Sequence, residues 1–218
     1  MDTLGRRLGS ALIGLATAVG IVAFAIPLFL NPLWVAFEQD RAQAAVWTGY
    51  SEQDMRTATD AILADLVVGP PTFDVVVAGE PVLNERERSH MRDVRGVFIA
   101  FFGLAVALVT TALVIAARRR GEVRRASWEA VRGGAVGLIV TLVLAGAIAL
   151  VAFDVLFETF HRLFFSGGSY TFDPATERLV QLFPFRFWQE TAIAVGIVAI
   201  AVAALVALLA RRRLRGHA

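Results

Sequence analysis

The chain has 218 residues, 57% of them hydrophobic, a formal net charge of +2 at pH 7 and no cysteine. Apolar residues gathered in long uncharged runs exclude an ordinary soluble domain. The small net charge gives no footprint for a nucleic-acid partner, and without cysteine there are no disulfides, thiolate metal sites or cysteine nucleophile.

Four segments approach the roughly 20 apolar residues needed to cross about 30 Å of hydrocarbon. They cover about 9–30, 94–117, 135–153 and 191–210. The first follows Arg6 and Arg7, and Ala23-Phe24-Ala25 imitates a cleavage site. Its apolar run continues through Ile26–Leu30, longer than a signal-peptide core, so it reads as a retained anchor. The expected fold class is an all-α membrane protein, a single membrane domain of four transmembrane helices. A small extracytoplasmic cap, 31–93, lies between helices one and two.

All 21 basic residues are arginine. Arg6 and Arg7, then Arg118, Arg119, Arg120, Arg124, Arg125 and Arg132, then Arg211, Arg212, Arg213 and Arg215 make 12 of them in three short pieces. Four spans put these pieces on one side of a membrane, and the positive-inside rule makes that side cytoplasmic. The expectation is a multi-pass protein of the cytoplasmic membrane with both termini inside and residues 31–93 and 157–187 outside. The arginine-rich loop between spans two and three reads as a topology determinant.

Within the cap, Ser51-Glu52-Gln53-Asp54 is a helix start, followed by Met55, Ala58, Ile62, Leu63 and Leu66 at helical spacing. Gly69-Pro70-Pro71 ends that helix and Phe73–Val77 reads as a short strand. The cap then runs into span two through Asn84-Glu-Arg-Glu-Arg-Ser-His-Met-Arg-Asp-Val94, whose Glu87, His90 and Asp93 recur every third residue on one helix face.

A second polar set ends span three. If residues 153–165 stay helical, Asp154, Glu158 and His161 fall at i, i+4 and i+7 and share a face. Ionisable groups at a membrane boundary are costly, which makes them functional candidates. Ser166-Gly-Gly-Ser169 breaks the helix. The outer loop 157–187 is rich in Phe and Trp, which places it partly within the bilayer surface. Thr176–Leu182, after Asp173-Pro174, reads as a short interfacial helix.

His90 and His161 thus stand at the outer ends of consecutive spans, which tend to be neighbours. His217, in the tail, reads as incidental. One chemistry the set supports is acyl transfer, with a histidine as general base or nucleophile and a carboxylate, Glu158 or Asp154, orienting it. Ser89, Ser166 and Ser169 lack the G-x-S-x-G context of a serine nucleophile. A metal-dependent membrane hydrolase is the alternative, with His90, Asp93, Glu158 and His161 as ligands, but no diagnostic ligand spacing is present. A transporter is disfavoured because no span carries an ionisable residue near its middle. A non-enzymatic membrane scaffold remains the third reading.

Two motifs resemble a known family. The first is Glu87, His90, Met91, Asp93 and Val94. The second is Asp154, Leu156, Phe157, Phe160, His161, Phe164, Phe165, Gly167, Ser169, Tyr170, Phe172, Asp173 and Pro174. Together with four spans and Leu182-Phe183-Pro184, they resemble the integral membrane family that includes Lit, the lipoprotein intramolecular transacylase. The resemblance implies transfer of the sn-2 acyl group of a lipoprotein's diacylglyceryl-cysteine to that cysteine's α-amine, giving a lyso-form product. It implies His161 as the main catalytic residue; His90 takes a supporting role on its position alone. The expected partners are membrane lipid and a diacylated lipoprotein, with no metal or other cofactor, and the oligomeric state is left open. Phe157, Phe160, Phe164 and Phe165 would line the acyl chain's path, with Tyr170 and Asp173 completing the substrate-binding set and Glu87 and Asp93 as structural motif residues. Tyr170 departs from the family, which often has Trp there.

Overall fold

A computed structural model describes residues 3–165 and 167–215, so Ser166 and His217 lie outside the described residues. In chain order the elements are α1 (Thr3–Ala25, extended by a 3-10 turn over Ile26–Phe29), α2 (Pro32–Arg41), α3 (Ala44–Thr48) and α4 (Glu52–Val67). Then come β1 (Val76–Val77), β2 (Glu80–Pro81), α5 (Glu85–Ala117), α6 (Glu122–Phe164), α7 (Arg178–Leu182) and α8 (Phe185–Arg215). Helices α1, α5, α6 and α8 are long and apolar enough to cross a membrane. Helix is the form such segments must take, because hydrocarbon offers no partner for a free backbone N–H or C=O. The protein is an all-α, multi-pass membrane protein.

Two compact units are built from this chain. One comprises the chain up to Ile26, Ala100–Ile148 and the chain from Ala194. Many of its buried positions are small: Ala16 and Ala112 share one cluster, and Ala135, Ala199 and Ala203 pack with Ile21 in another. Lipid tails are as apolar as the helices, so close backbone approach rather than hydrophobic burial holds such helices together. Gly14 and Gly134 approach closely, and a β-carbon on Gly134 would clash with the Gly14 carbonyl oxygen. Gly134→Ala is therefore expected to lower stability by about 1–3 kcal/mol, as overpacking does. Gly133→Ala, with open space around its β-carbon, should change little; thermal unfolding in detergent compares the two.

Arg119 does more in this unit than mark topology. It is buried, donating to Ser10 Oγ, Ser127 Oγ and the Arg6 carbonyl, each at 3.2 Å. The guanidinium's rigid fork ties the start of α1 to the chain around the α5–α6 turn.

The other unit comprises Pro27–Ile99 and Ala149–Ile193 and has a core of its own. Ser51 caps α4, accepting a hydrogen bond from Asp54 N at 3.1 Å, and Met55, Ala58 and Ile62 enter the core from its inner face. Asp65, near the end of α4, accepts from Phe73 N at 2.7 Å and so holds the fully buried Phe73 in place. The expected strand over Phe73–Val77 shrinks to Val76–Val77, paired with Glu80–Pro81. Ala78 and Gly79, both at positive φ, make the tight turn that such a hairpin needs.

Residues 173–182 also differ from expectation. The helix begins at Arg178 instead of Thr176, because the Asp173 carbonyl accepts from Thr176 N and Glu177 N and its carboxylate from Ala175 N, closing a turn first. Leu179 and Leu182 of α7 are buried in the core with Phe183 and Phe187. The aromatic loop is accordingly divided, with these two rings inside and Phe160, Phe164, Phe185 and Trp188 exposed.

Candidate active site

The site is built where α5 begins. Asn84 precedes the helix and accepts from Glu87 N at 3.0 Å, while Glu87 returns a bond from Asn84 N to Oε2 at 2.7 Å. This reciprocal box satisfies backbone donors that an α-helix start leaves open. The other Glu87 oxygen accepts from Leu179 N at 2.6 Å, so one carboxylate, 1% exposed, serves the first turns of both α5 and α7. His90 follows one turn later on the same face and is buried.

The second histidine comes from the far end of α6. Ala152, at φ −148° and ψ 43°, interrupts that helix, and the segment after it carries Asp154, Phe157, Glu158 and His161. His161 Nδ1 lies 2.7 Å from the Phe157 carbonyl oxygen. A carbonyl only accepts, so Nδ1 carries the proton and the neutral ring keeps its lone pair on Nε2. The backbone, rather than the expected carboxylate, orients this imidazole.

The two rings stack, with centroids 6.1 Å apart and planes inclined by 23°. Aromatic side chains wall them in. Phe165 stands 4.8 Å from His90 and 5.5 Å from His161. Phe172 lies 5.4 Å from His90, and Phe157, Tyr170 and Phe160 lie 4.1, 5.1 and 5.5 Å from His161. Among the described residues His90 Nδ1 is buried without a hydrogen-bond partner, a costly state that a polar group entering the site would relieve.

The carboxylates are placed differently. Glu158 Oε1 accepts from Arg162 Nε at 2.8 Å and from Tyr170 Oη at 3.1 Å, so it reaches His161 through the Tyr170 ring and not by a bond of its own. Asp154 and Asp93 are exposed, and Asp173 is spent on its turn. Phe164 lies exposed against Phe160 at 4.8 Å, outside the wall around the histidines. Among the described residues, no group of three or more His, Asp and Glu side chains is placed to hold a metal ion.

Two residues central to this geometry carried no sequence signal. Arg86 pairs with Glu177 across 91 positions, donates to the Thr171 carbonyl at 2.8 Å and stacks over Phe172 at 4.9 Å. Burial pushes the Glu177 carboxyl up, but Arg86, Asp173 N and Asn84 together hold it below the usual carboxylate range. The ion pair thereby fixes the aromatic loop over His90.

Comparison with known proteins agrees with this architecture. The family described as lipoprotein intramolecular transacylase Lit matches residues 10–188. No curated protein sequence matches the chain. Among solved structures, the membrane-integral lipoprotein intramolecular transacylase Lit from Bacillus cereus superimposes with a TM-score of 0.81 at 18% identity, covering 99% of this chain and 98% of that one. A form of the same Bacillus cereus protein bearing a histidine-to-arginine substitution gives 0.78, also at 18% identity, covering 97% and 92%. At such identity the structures show a shared fold, and the family match goes further. Together they define a membrane-integral acyltransferase. The chain belongs to the Lit family of lipoprotein intramolecular transacylases.

Proposed function

We propose that the protein moves the sn-2 acyl chain of a lipoprotein's diacylglyceryl-cysteine to the free α-amine of the same cysteine, leaving a lyso-form lipoprotein. The observation that carries this reading is the stacked pair His90–His161, in which His161 presents a basic Nε2 beside a second imidazole with an unpartnered nitrogen.

In the proposed reaction His161 Nε2 accepts a proton as the amine nitrogen forms a bond to the ester carbonyl carbon. The tetrahedral oxyanion then collapses, the carbon–oxygen bond to glycerol breaks, and the same nitrogen returns the proton to the departing oxygen. One ester and one amine become one amide and one hydroxyl, with no water or cofactor consumed. His90 donates to the developing oxyanion, which gives its buried Nδ1 the partner it lacks among the described residues. The Tyr170 ring, held by Glu158, backs the face of His161. Amine and ester belong to one molecule, so holding them together supplies much of the rate; effective molarities reach about 10⁵ M or more. Phe157, Phe160 and Phe165 form an apolar wall suited to the acyl chain, with Phe164 extending it outward.

The arginine distribution supports a topology with both termini in the cytoplasm and this site on the outer face of the cytoplasmic membrane, where lipoproteins display their acylated cysteine. Expression in a bacterium lacking its own homologue tests the reading. Mass spectrometry of lipoprotein N-termini should show N-acylated lyso-forms; unchanged diacyl species despite membrane insertion would refute it.

A further inference from the structure

Helix α2 buries Val35 in the core but turns two polar side chains inward beside it and two large apolar ones outward. Its inner face carries Glu38, 2% exposed, and Gln39, which donates to the Leu182 carbonyl at 3.0 Å and accepts from Thr59 Oγ1 at 3.1 Å. Its outer face carries Leu33 at 84% exposure and Phe37 at 53%. The next helix, α3, continues with Val46 and Trp47 exposed. A helix bounded by water would turn the other way, burying Leu33 and Phe37 and hydrating Glu38 and Gln39. The outward face, Leu33 and Phe37 with Asp40 following towards the Arg41 end, fits an apolar medium that gives way to a polar one along the helix.

Contacts with α8 set the depth. From Thr191 to Ala210 that helix has 20 residues without a charge, which at about 1.5 Å each already span about 30 Å of hydrocarbon. Thr191 thus marks the hydrocarbon boundary, and Trp34 Nε1 donates to its Oγ1 at 3.2 Å. One residue outward, Glu190 pairs with Arg41 at the end of α2 and with Arg186. The helix consequently meets the membrane at its Trp34 end and the charged headgroup level at its Arg41 end, with the indole in the position of an interfacial aromatic belt.

We propose that α2 and α3 lie in the bilayer interface, with Leu33, Phe37, Val46 and Trp47 immersed in the boundary between lipid headgroups and acyl chains. The face is a lipid-binding surface outside the four spans. It extends the protein's contact with one leaflet and leaves the polar side chains of α2 to hold the folded unit together.

The absence of native cysteine makes the test direct. Leu33→Cys, Phe37→Cys, Val46→Cys and Trp47→Cys variants of the full chain are labelled with an environment-sensitive fluorophore and reconstituted in phosphatidylcholine vesicles. The exposed polar position Asp60 on α4, as Asp60→Cys, serves as reference. Labels on α2 and α3 should be quenched by phosphatidylcholine brominated near the ester end of its chains, and aqueous iodide should quench them several-fold less than the reference. Iodide quenching equal to the reference at both Leu33 and Phe37 would overturn the proposal. So would shielding from iodide and bromolipid alike, which would mean that a second copy of the chain covers the face. All four positions are exposed, so failure of one variant to fold leaves the others to report.

Discussion

His161→Ala is expected to reduce acyl transfer by about 10²–10⁴-fold, the usual contribution of a positioned general base. Among the described residues the side chain's one hydrogen bond is to the Phe157 carbonyl within its own helix, which already has its backbone partner one turn on, so the loss should appear mainly in turnover rather than in stability. Thermal unfolding within a degree or so of the parent would separate the two. Replacing both His90 and His161 should cost little more than the larger single loss, because groups that act as a unit are strongly non-additive. Full activity in His161→Ala would remove this residue from the mechanism while leaving the family's reaction in place.

Glu87→Ala should do the reverse, acting through the fold. Its carboxylate is the acceptor for Asn84 N and Leu179 N, and a buried N–H left without an acceptor costs about 1–3 kcal/mol. Losing the acceptor of the buried Leu179 N predicts a destabilisation of about 1–3 kcal/mol, and the part-buried Asn84 N, which water can reach, adds less. Glu87→Gln should fall between, since an amide has one oxygen to offer two donors. Activity should decline with it, because the first turn of α5 and the start of α7 position His90 and the aromatic loop. Denaturation in detergent, run beside an activity assay, checks both; an unchanged midpoint in Glu87→Ala would show that water replaces the carboxylate at no cost.

The four membrane-spanning helices were legible because a bilayer demands long uncharged runs, and few other structures use them. The histidine pair was legible as a placement: both rings were assigned to outer ends of consecutive spans, and the structure brings them to 6.1 Å. How His161 is oriented was not legible. Two carboxylates on its face drew attention, whereas the bond goes to a backbone carbonyl that every sequence contains. The break at Ala152 had no local mark, since neither Pro nor Gly stands there. Arg86 and Glu177 lie 91 positions apart, and a single pair of opposite charges among many cannot be matched by eye. Helix α2 is not legible for a physical reason: periodicity assumes that apolar residues point inward, and here Leu33 and Phe37 point out while Glu38 and Gln39 point in beside Val35.

In the proposed reaction one molecule is both acyl donor and acceptor. A crossover experiment with purified protein in vesicles tests this most directly. Two synthetic diacylglyceryl-lipopeptides are mixed, one with a deuterated sn-2 chain and the other with a mass-tagged peptide. Mass spectrometry of the products should find deuterium only on the α-amine of the untagged peptide. Deuterated chains on the tagged peptide, or released as free fatty acid in place of amide, would contradict an intramolecular transfer.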